Sequence, residues 1–204
     1  MATFTPINIA ALVIAASFAA GLNVYATILT LGLLTRAHWV ALPPGLEMIG
    51  SWPVIGVAAA MFAAEFVADK IPGFDLIWNG LHTFNRIPVA ALVAFQASSR
   101  LSPEMQALAA VAGAAIAFAA HGSKTALRAA VTASPEPFSN IALSTGEDVV
   151  AVGVTWLTTR HPWVAAAIAA ALKLCAFLAA RWIYRLLRRV WKKPPSRVAP
   201  ASGA

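Results

Sequence analysis

Glu65 and Asp69 stand four residues apart at the end of the apolar run PVIGVAAAMFAA, followed at once by Lys70. On a helix the two acids share a face. Paired carboxylates inside a hydrophobic segment suit a proton or cation site. The plainer reading is that Glu65 pairs with a base to hold helices together, while Lys70 marks the membrane surface. A second row, Asp75, Trp78, His82 and Arg86, has helical spacing within IPGFDLIWNGLHTFNRIP, with Phe74, Ile77, Leu81 and Phe84 on the apolar side. Asp, His and Arg on one face suit a proton relay or an anion clamp. The same pattern also describes a short amphipathic helix lying at the membrane surface.

A third row, His121, Lys124 and Arg128, forms a basic stripe in HGSKTALRA. Lys offers a point charge and Arg a planar fork, so the stripe suits phosphate or carboxylate. Further on, NIALSTGEDVV places Asn140, Ser144 and Asp148 on one helical face. Ser144 and Glu147 fit a capping box, which predicts a helix starting at that point and a structural role for Glu147. Asp148 is left over as a candidate functional acid. Asn23, beside Gly21 in GLNVYAT, is a polar residue near the middle of a long apolar stretch.

These residues sit in a chain that is 60% hydrophobic and 11% charged, with a mean hydropathy of +0.74. A soluble domain of 204 residues would expose too much apolar surface at that composition. The expected class is all-α, a polytopic transmembrane helical bundle. Six apolar segments are expected, at about Ile7–Thr35, Pro53–Ala68, Ile87–Ser98, Met105–Ala120, Val149–Thr159 and Trp163–Tyr184. The third is short enough to be re-entrant, and residues 72–86 supply the interfacial amphipathic helix. Residues 1–193 form one membrane domain, and 194–204 a disordered basic, Pro- and Ala-containing tail. Residues 1–6 lack Lys and Arg, so the first segment reads as a retained helix rather than a signal peptide. The stretch beginning at Asn23 weakly echoes the one beginning at Asp148, the pattern of a duplicated helix pair.

The net charge of +7 does not point to nucleic acid, because seven of the fifteen basic residues cluster between Arg181 and Arg197, after the last apolar run. That cluster orients a membrane protein and attracts anionic lipid. Counting Lys and Arg between segments places eleven on one side and three (Arg36, Arg100 and Arg160) on the other. This predicts a multi-pass protein of the bacterial inner membrane with both termini in the cytoplasm. Cys175 is the single cysteine, so no internal disulfide forms, and it reads as a buried, inert thiol.

GLNVYAT, EFVADKIPGFDLIW, LHTFNRIP, HGSKTALRA, SPEPFSN and STGEDVV, in that order, resemble a bacterial multi-span membrane family catalogued as domain of unknown function 4126. The resemblance covers about residues 15–180. It implies that Asn23, Glu65, Asp69, Lys70, Asp75, His82, Arg86, His121, Lys124, Arg128, Glu136, Asn140, Glu147 and Asp148 carry the family pattern. It implies no activity.

The function expected is a small transporter or channel that moves an ion or small solute with clustered charges on the cytoplasmic side. One alternative is a lipid-phosphate-handling protein, a flippase or an enzyme at the inner interface. The other is a non-catalytic scaffold. No soluble-enzyme motif appears, so catalytic and metal-binding residues stay unassigned, and no cofactor is implied. The partners expected are membrane lipids and an ion or small solute, with room for a homo-oligomer and no nucleic acid. Glu65, Asp69, Asp148, His121 and Lys124 are expected to converge in space, since each is costly alone near hydrocarbon.

Overall fold

The computed structural model describes residues 5–71, 74–132 and 137–191. Its α-helices are α1 (Pro6–Leu22), α2 (Val24–Arg36), α3 (Trp52–Ala68), α4 (Phe74–Ala97), α5 (Pro103–Thr132), α6 (Pro137–Arg160) and α7 (Pro162–Trp191), with a 3-10 helix at Pro44–Gly50 before α3. Proline opens several of them. Its fixed φ suits the first turn, and its missing N–H has no helical partner there. The tail at 192–204 and the SPEP turn with Glu136 lie outside the described residues.

The helices are amphipathic in the sense that a bilayer demands. In α4, Phe84 is 84% exposed and Ile77 and Leu81 face outward, whereas Arg86 is fully buried. In α3, Glu65 is buried while Val57 and Val67 are exposed. Polar groups inside and apolar groups outside reverse the pattern of a soluble helix and fit a hydrocarbon solvent. The protein is a helical membrane protein. Among the described residues, α5 and α7 contain stretches long and apolar enough to cross a membrane, and the 3-10 helix with α3 makes a third, bent by 66°.

Helix α1 is the centre of the bundle. It packs against α4, α5, α6 and α7, and its residues are buried on nearly every side. Its approach to α5 depends on small residues. Ser17 and Gly21 on α1 meet Gly113 and Ala117 on α5, each pair four residues apart. A Cβ on Gly21 would lie 2.5 Å from the Ala117 carbonyl oxygen. Small residues at that spacing let two helix backbones close together.

The course of the chain differs from expectation at Asn23. Its extended backbone (φ −150°, ψ 103°) ends α1, and its side-chain oxygen accepts from Ala26 N at 2.9 Å, capping α2. The expected single span Ile7–Thr35 is therefore two helices, and the second turns back. Ile9, Leu12 and Val13 from the start of α1 share a cluster with Leu31 near the end of α2, while Ala20 and Val24 share another around Ala90 and Ala117. Contacts of Ser17 with Gly113 and of Leu22 with Lys124 make α1 parallel to α5. Ala15 and Ala19 cluster with Ala165 and Ala169, and Leu22 shares a groove with Ala179, so α1 also runs with α7. Pro6 and Trp191 thus stand at opposite ends of the bundle. Six spans would have put both termini at one end of the bundle; the reversal at Asn23 puts them at different ends.

Three other expectations change. Residues 74–86 do not form a separate interfacial helix; they continue into the third segment as α4, with Pro88 inside it. The basic stripe at 121–128, expected on one helical face where the fourth segment leaves the membrane, lies on α5, and His121, Lys124 and Arg128 are buried there. Ser144 and Glu147 lie well inside α6, so they do not cap its start. The charge count also needs revision. Arg86, Lys124 and Arg128 are buried side chains, not loop charges, and eleven less three leaves eight against three.

Candidate functional site

At the end where α1, α3 and α5 converge, five elements bring buried charges together. The last turn of α3 carries Glu65, and Asp69 forms its C-cap. Helix α4 contributes Arg86, α5 His121, Lys124 and Arg128, and α6 Glu147 and Asp148, while Asn23 sits at the α1–α2 break. Arg86 Nη2 donates to Glu65 Oε1. Lys124 Nζ lies 3.2 Å from Asp69 Oδ2 and 3.5 Å from both Glu65 Oε1 and Glu147 Oε2. Arg128 donates from Nη2 to Asp69 Oδ2 at 2.8 Å and from Nε to Glu147 Oε2 at 3.0 Å. The same guanidinium reaches the Asp69 carbonyl at 3.2 Å, an acceptor left open by the end of α3. Lys124 likewise donates to the Leu22 carbonyl at 2.9 Å, at the C-terminus of α1. A cation there also meets the negative end of the helix dipole.

The proton on His121 follows from its neighbours. Arg86 Nη1 lies 2.8 Å from His121 Nδ1, and a guanidinium only donates, so Nδ1 is an unprotonated acceptor. The other ring nitrogen, Nε2, faces Thr83 Oγ1 at 2.7 Å and carries the proton. His121 is thus held as a neutral imidazole. His82 is set apart from this lattice. It stacks on Trp78, meets Tyr25 edge-on, and its Nδ1 lies 2.9 Å from the Trp78 carbonyl.

Charge is not balanced within the buried set. The carboxylates Glu65, Asp69, Glu147 and Asp148 outnumber the permanent cations Arg86, Lys124 and Arg128 by one. The odd member is Asp148. Its Oδ1 accepts from Asn23 Nδ2 at 2.9 Å, its Oδ2 has no hydrogen-bond partner, and no cation stands within ion-pair distance of it among the described residues. Lys70 at the rim feels Asp148 and Asp69 electrostatically, but its ammonium donates to the Phe66 carbonyl at 3.0 Å and lies over the Phe66 ring. Glu65 Oε2 and Glu147 Oε1 are also buried with no hydrogen-bond partner among the described residues. Among the described residues, no three His, Cys, Asp or Glu side chains are grouped to hold a metal ion.

The expected convergence of Glu65, Asp69, Asp148, His121 and Lys124 is present, and Asn23, Arg86, Arg128 and Glu147 join it. Lys70 and His82 stand at its edge, and the side chains of Asp75 and Asn140 lie outside the described residues. Thr83 was not anticipated, nor the Leu22 carbonyl, nor the Asn85–Tyr25 hydrogen bond of 2.6 Å. Thr83 lies three residues before Arg86, so helical spacing was the available signal for it. Nothing in the sequence marks a particular carbonyl.

A groove of about 490 Å³ opens beside the cluster among α1, α5, α6 and α7. Its walls are mostly apolar, and Lys124, Glu147 and Lys173 are its charged members. Cys175, expected to be buried, is exposed and lines it. A family model described as a domain of unknown function matches residues 10–182. No curated protein and no solved structure matches the chain.

Proposed function

The chain belongs to the DUF4126 family, whose description assigns no activity, and from that premise we propose that it transports or conducts protons or a monovalent cation, with Asp148 as the exchanging group. The surplus buried carboxylate carries this reading. A scaffold would gain nothing from a fourth acid, since an unpaired buried charge costs several kcal/mol (on the order of 3–5). Such a group is neutralised by a proton or a bound cation. Here that acid faces a helix break, where Asn23 offers a neutral amide, α2 its N-terminus and α1 its C-terminal carbonyls. Broken helices of this kind serve ion and substrate sites in secondary transporters. The ion-paired residues hold Asp148 in place, and the basic residues following α7 in the sequence support a cytoplasmic position for the cluster.

The test is flux through purified protein in sealed vesicles. Proton entry is followed with an entrapped pH-sensitive dye under a potassium diffusion potential, and sodium and rubidium entry with radiotracers. At least one of the three is expected to exceed protein-free vesicles and to fall at least tenfold in Asp148→Asn. Background flux of all three ions refutes the reading.

The apolar groove supports a second reading, in which a lipid chain lies along α7 and its phosphate approaches Lys173 and Lys124. Reporter lipids in the same vesicles test it, with accelerated movement between leaflets as the expected outcome under that reading.

A further inference from the structure

A transport site at one end of a bundle needs a route to the other. We propose that this route runs between α2 and α6, from the Asn23–Asp148 pair past Thr27, Thr155 and Thr158 to a cavity at the C-terminal end of α2, and that Leu34 closes it in the state described. The proposal rests on the transport reading and adds the path, the residues that line it and the position of its barrier.

On α6, Ser144, Asp148, Ala151, Thr155 and Thr158 share one face, and all are buried. On α2, Asn23 and Thr27 are buried one turn apart. The two helices pack against each other, and these are the stretches whose sequences echo one another. Asn23 is bonded to Asp148, and one to two turns further along Thr155 Oγ1 lies 3.5 Å from Thr27 Oγ1. Each hydroxyl also bonds to the carbonyl four residues before it. Thr27 donates to Asn23 O at 2.9 Å, Thr155 to Ala151 O at 2.6 Å and Thr158 to Val154 O at 2.7 Å. Those bonds use the protons and leave oxygen lone pairs facing the seam, where they can receive a proton or ligate a cation.

Seven residues beyond Thr27, and so on the same helical face, α2 presents Leu34, which is buried, whereas Leu31 turns toward Ile9, Leu12 and Val13 of α1. Thr35 follows, lining a cavity of about 540 Å³ with Arg36, His38 and Glu47. At 1.5 Å per residue, Asn23 and Thr35 are about 18 Å apart along the helix. Polar groups thus occupy both ends, and Leu34 stands between them on the face of Thr27. A short apolar constriction is a recurrent form of gate.

Thr155→Val keeps the shape and removes the hydroxyl. It is expected to lower the flux measured above at least tenfold, while Thr155→Ser retains it. Leu34→Ala is expected to raise flux at least threefold. Thr155→Cys in a Cys175→Ser background should be blocked by silver ion added to the bath, a result that thiol burial in a purely packing role would not produce. Wild-type rates in Thr155→Val, or flux through Thr155→Cys untouched by silver, overturn the path and leave the role of Asp148 standing. If Thr155→Val does not fold, the cysteine variant decides alone. Background flux in the unsubstituted protein refutes the parent reading and the path with it.

Discussion

Removing a negative charge from the cluster should have opposite consequences at Glu65 and Asp148, although both are buried carboxylates on helices. Glu65→Gln takes a counter-charge from Arg86, which is fully buried and whose Nη1 lies against the neutral His121. It also weakens the field holding Lys124, 3.5 Å away. Breaking one side of a buried pair costs about 3–5 kcal/mol, because the remaining charge stays out of solvent. Asp148→Asn breaks no ion pair. The new side chain keeps an oxygen for Asn23 Nδ2, and it removes a buried charge that has no ion-pair partner among the described residues. Its effect should be less than about 1 kcal/mol, close to neutral. The assay is reversible unfolding in mixed micelles, titrated with a denaturing detergent and followed by far-ultraviolet circular dichroism. The double variant Glu65→Leu/Arg86→Met should recover at least half of the Glu65→Gln loss, since no orphan charge remains. Equal destabilisation by Asp148→Asn and Glu65→Gln would refute the charge accounting and show that Asp148 is a structural partner.

Other consequences are simpler to measure. Gly21→Ala puts a methyl 2.5 Å from the Ala117 carbonyl, so α1 must withdraw from α5; a loss of about 1–3 kcal/mol is expected in the same titration, and an unchanged midpoint would contradict the close crossing. Arg86→Lys offers a single ammonium in place of a fork that reaches Glu65 and His121 together, so it should cost about 1–3 kcal/mol despite keeping the charge. For orientation, cysteines at Ile7 and Met48, both exposed, should react in whole cells with an impermeant thiol reagent, whereas a cysteine at Ile71 should react only after lysis. Native Cys175 is replaced by serine first. Gly45 is unsuitable for this purpose, because a Cβ there would lie 2.3 Å from the Gln96 carbonyl oxygen.

Composition and spacing were enough to point to an all-helical membrane protein and to five members of its buried polar cluster, Glu65, Asp69, His121, Lys124 and Asp148. Hydropathy is a local property, and ionisable side chains in apolar helices have few places to go except toward one another. That is why Glu65, Asp69, Lys124 and Asp148 could be expected to meet from spacing alone. Pairing and direction were not local. A row such as His82 and Arg86 has the same helical spacing whether its polar face meets water or the interior, and only the packing of α4 against α5 turned it inward. Ser144 and Glu147 fit a capping box by type, but α6 begins earlier at Pro137, and Glu147 took Arg128 as its partner. Most consequential was Asn23. An asparagine in a long apolar stretch can line a continuous helix or end one, and the two outcomes differ by a full reversal of the chain. The choice came from contacts distant in sequence: Lys124 satisfying the Leu22 carbonyl, Asp148 accepting from the Asn23 amide, and Gly21 lying against α5. Each backbone group freed by the break needs a partner in a medium without water. Those partners come from helices more than a hundred residues away, so the sequence determined which groups had to be satisfied, and the tertiary structure decided by which.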